Sequence, residues 1–129
     1  MKKLTLPLII ASCFVASSAC PARAEIDGTT LLDTCKEAAR YMADKNDSSI
    51  NFSSVNFCAG YISGVKSLHA SFVSSVACFD PPAFCLPADT NVEQLVHVVV
   101  SFLKNNPEDL HFPGSDLTVA AFKEAFTCP

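Results

Sequence analysis

Cys58-Ala-Gly-Tyr-Ile-Ser-Gly64 is the stretch whose reading fixes the architecture. Apolar residues recur through it at helical spacing: Phe57, Cys58, Tyr61, Ile62 and Val65, continuing to Leu68, Phe72 and Val76. Ser53 or Ser54 supplies a cap, so a helix is predicted from there to about Val76. Gly60, Gly64, Ser67 and Ser71 form a neighbouring stripe of small residues. A glycine inside a helix costs about 1 kcal/mol relative to alanine. Two at this spacing indicate either close backbone packing, within the domain or across a dimer, or a pair tolerated because other contacts stabilise the helix.

Upstream, Asp27 or Thr29 caps a first helix running to about Asp44, with Leu31, Leu32, Cys35, Ala38, Ala39 and Met42 as its buried stripe. A polar break, Lys45 to Ser49, separates the two helices. Downstream, Cys78-Phe-Asp-Pro-Pro-Ala-Phe-Cys-Leu-Pro87 contains three prolines and is excluded from helix. Its two aromatics, Phe79 and Phe84, either face a partner or pack back onto the core. Thr90 with Glu93 reads as a capping box for a third helix to about Lys104, with Val92, Leu95, Val96, Val99, Phe102 and Leu103 facing inward. Valines 98 to 100 also suit a strand, but the caps and the length favour helix. Pro107 begins a short turn through Leu110, and Ser115 caps a last helix to about Phe126. The predicted fold is all-α: one compact bundle of about four helices stapled by disulfides.

The first 24 residues read differently. Lys2 and Lys3 precede an apolar run, Leu4 to Val15, and Ala22-Arg23-Ala24 is a small-x-small cleavage site. This is a secretory signal peptide, too short to span a membrane, and the mature chain begins at Glu25. Residues 25–129 then form a single domain. Ile10-Ala-Ser-Cys13 resembles a lipoprotein box, but apolar Phe14 and Val15 follow where a polar tether belongs, so a lipid anchor at Cys13 is disfavoured. Export implies an oxidising compartment, which makes disulfides of the cysteines. Five remain after cleavage: Cys35, Cys58, Cys78, Cys85 and Cys128.

If the third and fourth helices are antiparallel, Cys85 before the one lies beside Cys128 after the other. Cys35 with Cys58 would join the first two helices, across an axial mismatch of roughly 7 Å at about 1.5 Å per residue. Cys78 is then left over; alternatively it closes a local loop with Cys85 and leaves Cys128 free.

All thirteen acids but only six of the nine bases lie beyond residue 24, a net charge of about −7. Nucleic acid and anionic membrane are poor partners for such a surface, and a basic protein is a plausible one. No Cys-x-x-Cys, His-Glu-x-x-His, Gly-x-Ser-x-Gly or phosphate-binding glycine loop occurs. His69, His97 and His111 are well separated, and His97 on its apolar helix reads as a partly buried histidine. No enzymatic activity, metal or cofactor is expected.

Taken together, Asp27-Gly28 with Leu31-Leu32 and Cys35, the Cys58–Gly64 stretch, Cys85-Leu86-Pro87, Gln94 with Val98 to Leu103, Pro107 to His111, Leu117, Ala120 and Ala125-Phe-Thr-Cys128 resemble the Rap1a/Tai family of type VI secretion immunity proteins. Cys78 is additional to that pattern, and Phe-Thr-Cys stands where Phe-Pro-Cys is usual. The resemblance implies a small periplasmic α-helical protein, often homodimeric. It would bind a peptidoglycan amidase effector and cover its active site, with no reaction of its own. The expected partner-binding residues are Phe79, Asp80 and Phe84, on the loop that the quoted residues leave free. Two other readings fit an exported helical domain: a periplasmic binding or chaperone-like module, and a secreted interaction factor.

Overall fold

The computed structural model describes residues 25–76 and 82–129. The expected signal segment, Cys13, Cys78, Phe79 and Asp80 lie outside the described residues. Four α-helices follow in order: α1 (Gly28–Ala43), α2 (Phe52–Val76), α3 (Val92–Asn105) and α4 (Gly114–Ala125). A 3-10 turn, Pro107–Asp109, precedes α4. Each helix packs on the other three.

Asp27 caps α1, its carboxylate accepting from the Thr30 N–H at 2.8 Å. The polar break is stitched by Arg40. Its guanidinium reaches Glu37 and Asp47, both at 2.7 Å, and the Ser49 hydroxyl at 2.9 Å. Glu37 also accepts from the Asn51 N–H at 3.0 Å. Helix α2 begins earlier than the serines suggest, because Asn51 caps it: its side-chain oxygen accepts from Ser53 N at 3.0 Å and Ser54 N at 3.3 Å. That earlier start, together with α1 ending at Ala43, shrinks the axial mismatch between Cys35 and Cys58 to roughly 3 Å at about 1.5 Å per residue. The two cysteines are bonded, with Cα atoms 5.1 Å apart.

Helix α3 corrects a second cap. Asn91, not Thr90, accepts from the Gln94 N–H, at 2.8 Å. Thr90 is instead 3 % exposed, and its hydroxyl has no partner. Helix α4 has no cap of its own, since Pro113 occupies the N-cap position and Ser115 lies inside the helix. Strand-like pairing supplies what is missing. Gly114 N–H donates to Ile26 O at 2.8 Å, and Gly28 N–H to Phe112 O at 3.0 Å. Residues before α1 thereby hold the entrance of α4. A side chain at Gly28 would strike Leu117 Cδ1 and sit 3.0 Å from the Leu110 backbone, so this contact needs glycine.

The core joins Leu31, Leu32, Cys35 and Ala38 of α1, Val55, Cys58 and Ile62 of α2, five residues of α3 from Leu95 to Leu103, and Leu117, Ala121 and Phe122 of α4. Val100 belongs to it although the periodicity omits it, while Val92 and Phe102 are only partly buried. The apolar face expected for α2 is corrected more deeply. Only its inner edge is buried; Phe57, Leu68 and Phe72 are 43 %, 59 % and 58 % exposed. Nor do the two glycines serve internal packing, because a Cβ added at Gly60 or Gly64 would meet nothing within 4 Å.

Candidate functional site

In the proline-rich connection between α2 and α3, the chain from Pro82 onward is fixed at Cys85. Cys85 is bonded to Cys128, and its N–H donates to Phe126 O at 2.9 Å. These links pull the chain against the end of α4. They turn the Phe84 ring inward, where it is 2 % exposed. It stacks on His69 with ring centres 3.8 Å apart and meets the Phe122 edge at 5.4 Å. Phe84 keeps only a sliver of surface, at the wall of an adjacent groove. It anchors the loop to the core, and the partner contact expected of it is reassigned accordingly.

A groove of about 410 Å³ lies beside this anchor, between the second half of α2 and residues 82–88. Val73, Phe84, Leu86 and Pro87 give it an apolar wall, with Lys66 and His69 at its edge. The Lys66 ammonium donates to the Thr90 carbonyl, which ties α2 to the residue before the α3 cap. Such a groove suits binding, because it offers apolar area with few polar groups to fix orientation.

Cys58 is fully buried in its disulfide and cannot serve as a nucleophile. His69 is engaged by Phe84, and His97 is exposed rather than partly buried. His111 Nδ1 lies 2.9 Å from Glu108 O, on an exposed turn. No group of three or more His, Cys, Asp or Glu among the described residues is placed to hold a metal ion. Nor is any helix among them long and apolar enough to cross a membrane.

One polar cluster escaped sequence reasoning. The Glu25 carboxylate accepts from Ser115 N–H at 3.2 Å and from the Tyr61 hydroxyl at 3.4 Å. It thereby supplies the N-terminal partner that α4 lacks. Burial, then the nearby Glu25 carboxylate, pushes the Tyr61 phenol up to about 12. The available signal was the Pro113-Gly114 start of α4, which leaves N–H groups needing a distant acceptor.

Curated proteins and solved structures compared with this chain give no significant match. The family model of Rap1a immunity proteins, in contrast, matches residues 27–128, from the α1 cap to the last disulfide cysteine. A match spanning all four helices and both bridges places the assignment on the whole domain: the chain belongs to the Rap1a immunity protein family.

Proposed function

We propose that this protein is a periplasmic immunity protein that binds a peptidoglycan amidase effector of a type VI secretion system and sterically occludes its active site. The observation that carries the reading is the family match over residues 27–128. Immunity of this kind requires affinity and not chemistry. The described residues accordingly present a groove and exposed apolar side chains, and the cysteines of α1 and α2 are joined in a disulfide. Periplasmic residence is supported by the Lys2-Lys3 and Leu4–Val15 signal pattern with Ala22-Arg-Ala24, and by two bridges that need an oxidising compartment. The net charge of about −7 beyond residue 24 favours a basic effector surface.

Phe79 and Asp80 remain the proposed effector contacts. They lie on a connection whose far end is clamped by Phe84 and the Cys85–Cys128 bond. The protein is also proposed to self-associate as a homodimer. The test is co-purification of the oxidised chain from Glu25 to Pro129 with periplasmic amidase effectors, followed by a peptidoglycan cleavage assay. A stoichiometric complex without cleavage activity supports the reading, and Phe79→Ala with Asp80→Ala should weaken it. Effectors that stay active at saturating immunity protein would refute it.

A further inference from the structure

We infer that the groove between α2 and residues 82–88 binds a small amphipathic carboxylate, a medium-chain fatty acid, with its charged head on Lys66 and its chain along the apolar wall. The inference goes beyond the proposed function and does not depend on the effector. One side of the groove is a single stripe of α2. Lys66, His69, Ala70, Val73 and Ser74 follow one another at helical spacing. From Lys66 to Ser74 the stripe runs roughly 12 Å, at about 1.5 Å per residue. Phe84, Leu86 and Pro87 face it from the connection. The groove volume of about 410 Å³ falls within the range of small-ligand sites, about 300–1,000 Å³.

Charge is distributed unevenly along that length. Lys66 carries the one formal charge of α2 and stands at one end of the stripe. Its ammonium donates to the Thr90 carbonyl, which fixes its position. An ammonium has three donors, so two are left for a ligand. His69, one turn further on, is stacked flat on Phe84 with ring centres 3.8 Å apart, and its ring belongs to the wall. At the far end the Ser74 hydroxyl donates to the Ala70 carbonyl within the helix, so its proton is already committed. No carboxylate is among the described residues lining the groove, although the chain has thirteen acids against six bases beyond residue 24. A negative head therefore meets a cation and no like charge, and an apolar chain meets apolar side chains. A single ammonium at one end matches a single negative charge.

The test titrates the oxidised chain from Glu25 to Pro129 with decanoate, decanol, decyltrimethylammonium and acetate, followed by calorimetry and by amide chemical shifts. Decanoate should bind, with shifts confined to Lys66 to Ser74 and to residues 82–88. Decanol and the alkylammonium should bind at least about tenfold more weakly, for want of the charge-assisted contact, and acetate should not bind. Net charge alone forecasts the opposite order, because an acidic surface attracts the cation. Lys66→Met keeps the apolar stem and should erase the preference for decanoate over decanol. Ala70→Trp, at an exposed position, should fill the groove and remove binding of both while the far-ultraviolet circular dichroism stays unchanged. Absence of decanoate binding, an alkylammonium that binds as tightly, a preference that survives Lys66→Met, or shifts centred on Phe57, Leu68 and Phe72 would overturn the inference. An effector captured by a chain that does not bind decanoate would support the proposed function and overturn only this inference. Decanoate seated in the groove of a chain that captures no effector would do the reverse.

Discussion

Replacing Cys85 and Cys128 together by serine should remove a large share of the stability of the oxidised protein while leaving its native shape almost untouched. The bridge closes a sequence separation of 43 residues. In the chain-entropy relation a loop of that length restrains the unfolded state by about 4 kcal/mol. Little packing is lost with it, since Cys128 is exposed and Cys85 only half-buried. The Cys85 N–H to Phe126 O bond and the buried Phe84 keep the junction in register. Domains of this size are stable by about 5–15 kcal/mol, so the loss is a large share of the total. It corresponds to a fall in melting temperature of roughly 15–30 °C at about 4–8 °C per kcal/mol. Urea unfolding followed by circular dichroism, with Cys78→Ser in both proteins, measures it. The midpoint should fall, and the slope should steepen because the unlinked chain exposes more surface when unfolded. A loss below about 1 kcal/mol with an unchanged slope, where the bridge in the parent is verified by peptide mapping, would refute the argument that the bond acts through the unfolded chain.

Three further expectations follow from particular contacts. Asn91→Ala should destabilise by about 1 kcal/mol through loss of the α3 cap, whereas Thr90→Val should be neutral or mildly stabilising because the Thr90 hydroxyl is buried without a partner. The reverse order in thermal unfolding would return the cap to Thr90. Gly28→Ala should cost about 1–3 kcal/mol from collision with Leu117 and the Leu110 backbone, measured by urea midpoint. Tyr61 should titrate near 12 in the folded protein, read by phenolate absorbance. Because its folded value is raised above the ordinary 10, its contribution to stability is complete below pH 10 and is lost as the pH rises towards 12. Tyr61→Phe should abolish that alkaline component, and a Tyr61 titrating at 10 would contradict its burial against Glu25.

The linear chain determined the helices because they rest on local terms. Apolar spacing sets which face of α1 and α3 is buried, and Asp27 caps α1 through its own Thr30. Helix order makes the two bonds, Cys35 to Cys58 and Cys85 to Cys128, feasible, but it leaves a Cys78 to Cys85 loop open as well, and the tertiary structure decides between them. Other features needed the tertiary structure. Periodicity gives α2 an apolar face but not how much of that face its neighbours cover. Three helices reach only its inner edge, leaving Phe57, Leu68 and Phe72 outside. Phe84 reads in sequence as a loop aromatic, yet the bond between Cys85 and a residue 43 positions away drags it into the core. The entrance of α4 is held by Glu25 and Ile26, at the opposite end of the domain sequence. Such contacts join residues whose distance along the chain carries no periodic signal, so only the closed packing of the four helices could bring them together.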